Sequence, residues 1–442
     1  MPVRNGKKIF WKRGETDMTE HTVTKEKIGY RQVLTQKEYC KIIFANLISR
    51  FGDSIDAIAF TWLVYDATKS ASWAAIITAC NMLPTILLQP FAGAAVERRN
   101  KKAIMIGSDI IRGLVVAALA FCYLNNQINP WVLLAFTLII SSVEAFCMPA
   151  STAIIPKILD EKYYEYGMSL NKVGSMIMQL VGTGAAGVII GMFGVHIAIM
   201  IDAVTFFGAA VVKMFLKVKE DLTATAGESV ENAAKEYMTL LKEGFVYVKG
   251  KRVLLNLIIL AFLVNGMMVP INSFLAPLVS DVLGQKSELL SVIGMAISVG
   301  TLLGSVLYPM ISKKIPVKTF VFFTGLLVSA SVSCMTVGNL FQDKILLVYV
   351  VTGGVTILLG MGAGLLSSML GVQFMKTVEE SYLARAGALF DAGATAAMPL
   401  VSFLMSAIVK FVSVKNLIIA SGGFCAIIFI VTRILNVQFS ED

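Results

Sequence analysis

Long uninterrupted apolar blocks dominate this sequence of 442 residues. A block of about 20 apolar residues can cross the hydrocarbon core of a membrane as a helix. Only 15% of the residues are charged, 56% are hydrophobic, and the mean hydropathy is +0.75. A soluble domain carries about 25% charged residues. The sequence therefore predicts an all-α polytopic membrane protein.

Twelve such blocks predict twelve transmembrane helices, and a long hydrophilic stretch separates the first six from the last six. The predicted spans are residues 39–65, 72–95, 103–124, 130–154, 168–192, 195–216, 253–280, 288–311, 317–338, 345–368, 383–409 and 413–436. The expected regions are a basic cytoplasmic tail (1–38), a first six-helix bundle (39–216), a cytoplasmic linker (217–252), a second six-helix bundle (253–436) and a short cytoplasmic tail (437–442).

Positive charge is distributed unequally between the two sides of these spans. Of the 38 Lys and Arg residues, 31 lie on the side of both termini and five lie on the opposite side. Cytoplasmic loops carry the excess of Lys and Arg in membrane proteins. We therefore expect a multi-pass protein of the cell (inner or plasma) membrane with both termini in the cytoplasm. The same asymmetry accounts for the net charge of +9, so we expect no nucleic-acid partner.

Two hydrophilic segments carry further expectations. The first 27 residues contain no apolar core of a signal peptide, so we expect an uncleaved tail, with Met18 as an alternative start. In the linker, the stretch ENAAKEYMTLLKEGFVYVKGKR has apolar residues at helical spacing with lysines between them. This pattern is typical of an amphipathic helix on the membrane surface, and a solvated connector is the alternative.

Several kinds of site are not expected. The six cysteines show no CxxC spacing, so we predict no metal site. The sequence contains two histidines and no GxxxxGK[ST] phosphate loop, so neither a histidine proton relay nor ATP hydrolysis on this chain is expected. No nucleophile and base are paired within the spans. We therefore expect neither an enzyme nor a cofactor.

The first span contains charges inside its apolar block. In LISRFGDSIDAIAF, Arg50, Asp53 and Asp56 follow one another at spacings of three residues, which places them on one helical face. Each charge facing lipid at the bilayer centre would cost about 2.5–3.5 kcal/mol. We therefore expect this face to look into a watered cavity, with Arg50 and Asp53 as an ion pair.

The two halves show a repeat with an offset of 219 residues. Asp160-Glu161 matches Glu379-Glu380, Leu170 matches Leu389, and Gly174 matches Gly393. Two parallel six-helix repeats with a site between them are typical of secondary transporters.

The loop after the second span reads GAAVERRNKK. It resembles the major facilitator signature G-x-x-x-[DE]-[RK]-x-G-[RK]-[RK], with Glu97 where Asp is usual and Asn100 where Gly is usual. The matching positions are Gly93, Glu97, Arg98, Lys101 and Lys102. The segments RFGDSIDAIAFTWLVYDATKSASWAA, CMPASTAIIPKILDE and GTGAAGVIIGMFGVHIAIMIDAVTFF are similar to the branch that contains macrolide-efflux permeases and the enterobactin exporter.

This resemblance implies the major facilitator fold and a function. It implies a monomeric secondary transporter in the lipid bilayer that exports amphiphilic small molecules of drug, antibiotic or siderophore type. Export would be driven by the proton gradient, with alternating access and no cofactor. A lysophospholipid flippase and a small-molecule importer of the same fold remain alternatives. The signature loop would lock the cytoplasmic side, and Asp391 in span 11 could meet Glu97 and Arg98.

In this superfamily spans 1, 4, 7 and 10 line the central cavity. The polar residues that the resemblance assigns to the cavity are Asn46, Arg50, Asp53, Asp56, Glu144, Asn265 and Asn272. Since Arg50 is expected to hold Asp53 ionised, Glu144 is the predicted proton-coupling residue, and Asp53 is second. A purely structural ion pair of Arg50 with Asp53 or Glu144 is the alternative.

Span 5 is rich in glycine, as helices that pack backbone to backbone often are. Its glycines are Gly182, Gly184, Gly187 and Gly191, and the proline of the drug-exporter antiporter motif is absent beside them. Close packing and a functional bend remain alternatives.

Two other spans contain charged residues. Asp109 and Arg112 in span 3 are expected to neutralise each other, and Asp202 in span 6 is expected to form hydrogen bonds that support helix packing.

Overall fold

The chain folds into long helices in a computed structural model, which describes residues 30–97, 99–218, 243, 245–379 and 382–440. Twelve long helices lie within these ranges, and we number them in chain order. They are α1 (Lys37–Thr68), α2 (Ala71–Glu97), α3 (Lys101–Leu124), α4 (Pro130–Ile154), α5 (Tyr164–Phe193), α6 (Val195–Met214), α7 (Arg252–Pro277), α8 (Glu288–Ile311), α9 (Val317–Cys334), α10 (Ile345–Thr377), α11 (Leu383–Ile408) and α12 (Val414–Ile434).

The predicted all-α fold with multiple spans is confirmed. Eleven helices in the described part of the chain are long and apolar enough to cross a membrane, namely all but α1. Helix α1 has 32 residues and would also be long enough, but its charges lower its hydropathy. The helix limits follow the predicted spans, except that α10 continues nine residues beyond the predicted end at residue 368.

Helix starts and turns follow from local chemistry. At the start of α4 the Asn129 side chain accepts a hydrogen bond from the backbone N–H of Val132 at 3.0 Å, and Pro130 is the first helical residue. Gly194 alone connects α5 to α6, with a φ of 87°. Only glycine adopts this conformation without a steric penalty.

Helix α7 is bent near its end. Pro270 and Pro277 lie inside it, and Phe274 has non-helical dihedrals of φ −114° and ψ 17°. A proline within a helix removes a hydrogen bond and pushes against the preceding turn, so a kink before Pro277 is expected. A short π-helix, Leu278–Val282, continues the chain beyond the bend.

The two halves, α1–α6 and α7–α12, repeat the same packing. A Cβ on Gly174 in α5 would lie 2.9 Å from Leu47 of α1, and a Cβ on Gly393 in α11 would lie 2.7 Å from Ile258 of α7. Gly174 and Gly393 are the glycines related by the offset of 219 residues. In both halves this glycine therefore lets the fifth helix approach the first.

A tight helix pair that we did not predict lies within the second half. A Cβ on Gly300 of α8 would lie 2.2 Å from the Ile357 carbonyl oxygen, and one on Gly360 of α10 would lie 2.2 Å from the Ile297 carbonyl oxygen. Gly304 and Gly364 repeat the pattern one turn further along. These two GxxxG motifs bring the helix backbones into contact, which increases van der Waals attraction where no hydrophobic effect can act.

Both ends of the helical region lie on one side, because an even number of crossings separates Lys37 from Ile434. We call this the terminal side and the opposite one the far side. Residues 1–29 and 219–242 lie outside the described residues, so the expectations about the tail and most of the linker helix are not addressed by the structure. The proposed domain boundaries therefore remain predictions.

Candidate functional site

The charges of α1 meet a guanidinium from α3. The Nη2 atom of Arg112 donates to Oδ1 of Asp53 at 2.9 Å, and the guanidinium lies 4.1 Å from the centre of the Phe206 ring on α6. A cation over an aromatic face gains further electrostatic stabilisation. The Arg112 side chain is 12% exposed and that of Asp53 is 31% exposed. This ion pair is thus partly buried among α1, α3 and α6 of the first half.

Two expected ion pairs were wrong. Arg50 is exposed and donates to Oε1 of Gln179 at 3.3 Å, so Arg112 and not Arg50 neutralises Asp53. Asp109 pairs with Lys213 of α6 at 2.7 Å rather than with Arg112. Neighbours three residues apart on one helix were favoured by the sequence, but partners on adjacent helices offer better geometry in the packed bundle.

The pair between Asp109 and Lys213 is almost fully buried. Their side chains are only 2% and 4% exposed. A buried pair is held only when its geometry is good, because both ions have lost their hydration. The pair joins α3 to α6 near the terminal side, since Lys213 is in the last turn of α6.

Asp202 lies against α1 at a glycine. A Cβ on Gly52 would lie 1.9 Å from Oγ1 of Thr205 and 2.5 Å from Oδ1 of Asp202, so only a glycine leaves room for these side chains. Asp202 is 1% exposed, and the Thr205 hydroxyl can donate to its carboxylate at 3.3 Å. Asp202 was expected only to support packing, yet it reaches the charged face of α1.

Asp56 completes the group one turn after Gly52. Its Oδ1 atom is buried and accepts no hydrogen bond from the described residues. The carboxyls of Asp53, Asp56 and Asp202 lie within electrostatic range of one another and of Arg112. We call Asp53, Asp56, Arg112 and Asp202, together with Glu144, the ionic cluster.

Glu144, the predicted proton-coupling residue, is half-buried on α4 and lies within electrostatic range of Arg112. The cluster therefore contains four carboxyl groups and one guanidinium. Four ionised carboxylates around one cation in a low-dielectric interior would repel strongly. The ionic cluster is therefore a candidate for an ion or proton pathway within the membrane.

The other predicted cavity residues are not part of this cluster. The Asn46 amide donates to Oδ1 of Asn171 on α5 at 3.4 Å. Asn265 donates to the Ala261 carbonyl of its own helix at 3.0 Å, and Asn272 is exposed. Their assignment to a substrate cavity stays a prediction.

The signature loop is only partly described. The structure does not describe Arg98 or the side chain of Glu97, so their contact with Asp391, which is exposed on α11, stays a prediction. The role of Gly93 in the signature also stays a prediction. The amine of Lys102 donates to the carbonyl oxygens of Met214 and Leu216, each at 2.8 Å.

The departure at Asn100 has a local explanation. The Asn100 side chain accepts a hydrogen bond from the backbone N–H of Ala103 at 2.7 Å and so caps α3. Lys101, in the first turn of the same helix, is buried at 7% exposure. A glycine at position 100 would lack the side-chain cap.

The halves contact each other on the far side. Three glycines of α5 lie against side chains of α8. A Cβ on Gly184 would lie 2.8 Å from Sδ of Met295, and a Cβ on Gly187 would lie 2.8 Å from the Ser291 side chain. A Cβ on Gly191 would lie 2.7 Å from Oε1 of Glu288. We call this α5–α8 contact the far-side seam. Gly182 instead packs on α1 within the first half.

Two further contacts join the halves at the far ends of their helices. The hydroxyl of Tyr65 on α1 donates to Oδ2 of Asp281, which follows α7. The hydroxyl of Ser72 on α2 donates to the Ser406 carbonyl oxygen on α11 at 2.8 Å. The far side is therefore closed by direct contacts between the halves.

The end of the linker is anchored to the second half on the terminal side. Tyr247 stacks on Tyr382 with ring centres 4.1 Å apart, and the amine of Lys251 donates to Glu379 at 3.0 Å. Hydrogen bonds with Tyr247 and Glu379 raise the pKa of Lys251. Lys251 accordingly stays charged at neutral pH.

Among the described residues, no group of three or more His, Cys, Asp or Glu side chains is placed to hold a metal ion. The six cysteines are free thiols. Cys147 lies on α4 within electrostatic range of Arg112, and hydrogen-bonds weakly with Ser151 at 3.9 Å.

Comparison with known proteins agrees with this architecture. The sequence profile of the Major Facilitator Superfamily matches residues 42–381. The chain belongs to the major facilitator superfamily. The transporter is 21% identical over 390 residues to macrolide efflux protein A of Streptococcus pyogenes, which covers 88% of this chain and 93% of that protein. It is 26% identical over 292 residues to the multidrug efflux pump Tap of Mycobacterium tuberculosis, and the match covers 62% of this chain and 66% of that pump.

Solved structures share the fold. The transporter superposes on the nucleoside transporter NupG with a TM-score of 0.70 at 11% identity, covering 91% of this chain and 99% of that one. The TM-score is 0.62 at 12% identity for a bacterial homologue of the human lysosomal transporter Spinster in an inward-facing and unoccupied conformation. This match covers 93% of this chain and 96% of that one. The predicted resemblance to the superfamily and to macrolide-efflux proteins is confirmed.

Proposed function

We propose that this transporter exports amphiphilic small molecules from the cytoplasm in exchange for protons. The observation that carries the direction is the similarity to macrolide efflux protein A, which extends over 88% of the chain. Drug, antibiotic and siderophore-type molecules are the proposed substrates, and the proton gradient is the proposed energy source.

The ionic cluster supports proton coupling. Asp53 is paired with the Arg112 guanidinium, and the carboxyl groups of Asp56, Asp202 and Glu144 lie within electrostatic range of it. Ionisable groups inside membrane segments mark ion and proton pathways. The excess of carboxyls over cations gives the protein a place to bind and release a proton within the membrane.

The positive-inside distribution supports an orientation with the terminal side in the cytoplasm of a bacterial-type inner membrane. In that orientation the far-side seam closes the protein toward the outside, and substrate would enter from the cytoplasm. Rocking of the two halves would then open the seam and release the substrate outside. A monomer is the proposed working unit.

Transport into inside-out membrane vesicles tests this function. We expect uncoupler-sensitive uptake of radiolabelled erythromycin or of ethidium when the vesicles are energised. An Asp66→Asn variant should transport normally, because Asp66 forms an exposed ion pair with Lys69 outside the cluster. Uptake that an uncoupler does not reduce would contradict proton coupling. Net gradient-driven movement in the opposite direction would instead indicate an importer, and stimulation by lysophospholipid a flippase.

A further inference from the structure

Asp202 of α6 lies against Gly52, and Asp56 follows Gly52 by four residues, one helical turn along the same side of α1. Asp202 comes from α6 and is 1% exposed, while Asp56 comes from α1 and has a buried Oδ1 atom without a described hydrogen-bond donor. Among the described residues, the Thr205 hydroxyl is the only side-chain donor to the Asp202 carboxylate, at 3.3 Å. That hydroxyl has one proton and also contacts the Asp202 carbonyl oxygen at 2.8 Å. Two ionised carboxylates with so few donors would be very costly in this position.

The Arg112 guanidinium, which lies within electrostatic range of both carboxyls, is bonded to another carboxylate. Arg112 donates through Nη2 to Asp53, whose side chain is 31% exposed and so more accessible to solvent than that of Arg112 at 12%. The Nε atom of Arg112 is buried and makes no hydrogen bond to a described residue. Arg112 therefore has a spare donor, and Asp53 can be solvated by water if the guanidinium leaves it.

We propose that Asp56 and Asp202 hold the transported proton between them across Gly52, and that Arg112 moves from Asp53 to this pair when the proton leaves. This proposal rests on the proposed proton antiport and names the residues that perform it. In the loaded state one carboxyl is a neutral acid. On release its O–H bond breaks, the electron pair stays on the carboxylate, and the proton passes to water. The guanidinium then compensates the added negative charge.

Other ionisable groups around the pair have different roles. Asp109 of α3 is neutralised by Lys213 of α6 at 2.7 Å, and Arg50 of α1 is exposed and donates to Gln179. Glu144 and Cys147 of α4 lie within electrostatic range of Arg112. None of these groups supplies a second cation to Asp56 and Asp202.

The direction of coupling follows from the present state. Here the far side is closed and Arg112 is bonded to Asp53, and the proposal assigns this arrangement to the proton-loaded form of Asp56 and Asp202. Proton binding should therefore favour the far-side-closed state, and a higher pH should favour opening. For one linked proton the population ratio changes by up to about tenfold per pH unit. An exporter that takes up its proton from outside needs this direction.

The test is single-molecule FRET between dyes on unnatural amino acids at Gln127 and Lys410, which are exposed at far-side ends of the two halves. The wild-type protein in detergent should move toward the far-side-open state as pH rises from about 5 to about 8. Asp202→Asn and, separately, Asp56→Asn should remain closed throughout, because the amide imitates the protonated acid. Asp66→Asn should behave as the wild type.

The outcomes separate the two proposals. Wild-type pH dependence that persists in both amide variants would overturn the assignment to Asp56 and Asp202. The assignment would equally fail if Glu144→Gln alone abolished the pH dependence, and proton antiport would then still stand. Absence of pH dependence in the wild type would overturn the assignment, and absence of uncoupler-sensitive uptake in vesicles would overturn the antiport itself.

Discussion

At the scale of single residues, two ion pairs in the first half differ in burial and in whether a hydrogen-bond donor is left unused. Asp109 and Lys213 are 2% and 4% exposed, which is typical of a structural pair. Arg112 and Asp53 are more accessible, and Arg112 keeps an unused donor. Under the proposed transport cycle Arg112 exchanges one carboxylate for another, and its unused Nε donor allows this exchange. A pair that only stabilises the fold needs no such donor.

Removing one member of the buried pair should destabilise the fold. We expect Asp109→Asn or Lys213→Met to reduce the free energy of unfolding by about 3–5 kcal/mol, because the remaining charge is left buried without a partner. The combined Asp109→Leu and Lys213→Met variant should be close to the wild type. Denaturant unfolding of the detergent-solubilised protein measures all three.

The double variant also separates stability from function. We expect it to keep uncoupler-sensitive uptake, since both charges are removed together. A double variant that is stable but no longer coupled to the proton gradient would show that Asp109 and Lys213 take part in proton movement.

At the scale of helices, glycines make two kinds of contact. In the α8–α10 pair a Cβ on Gly360 would lie 2.2 Å from a backbone carbonyl oxygen within one half. In the far-side seam a Cβ on Gly187 would lie 2.8 Å from the Ser291 side chain of the other half. In the proposed rocking motion the first contact stays within one half, and the second breaks when the far side opens.

Valine substitutions should separate these two contacts. Gly360→Val should lower the unfolding free energy by several kcal/mol, because α10 cannot move away from α8 without unpacking the half. Gly187→Val should leave stability nearly unchanged and shift the population toward the far-side-open state. Gly107→Val is the matched control, since a Cβ there would meet nothing within 4 Å.

FRET between Gln127 and Lys410 measures the shift, and denaturant unfolding measures the stability. A Gly187→Val variant that stays closed would show that the seam is not the moving contact. Equal loss of stability in the Gly187 and Gly360 variants would show that both contacts are structural.

The helices could be predicted from the sequence much better than their partners. Apolar block length gave the spans, and the matched pair Gly174 and Gly393 gave the repeat. The predicted pairing of Arg50 with Asp53 failed because helical spacing describes one helix alone. Which helix supplies the counter-ion depends on packing, which a single sequence does not display. The GxxxG motif around Gly300 was available in the sequence as a signal and would have predicted the α8–α10 pair.

At the scale of the whole molecule, the orientation in the membrane determines whether the terminal side or the far side faces the cytoplasm. A single cysteine at Gln127, in an otherwise cysteine-free protein, should react with an impermeant thiol reagent on intact cells. A single cysteine at Lys314, on the terminal side, should react only after the membrane is permeabilised. The reverse pattern would place both termini outside and would make the far-side seam a cytoplasmic closure.

The central claim is that substrate leaves in exchange for a proton held by the ionic cluster. Its most direct test is proton counter-flow in inside-out vesicles with an acidic lumen, followed with a pH-sensitive dye when erythromycin or ethidium is added. The account predicts proton efflux on addition in the wild type and in Asp66→Asn, and none in Asp202→Asn, which should still exchange substrate without a gradient. Substrate uptake with no accompanying proton movement in the wild type would contradict it.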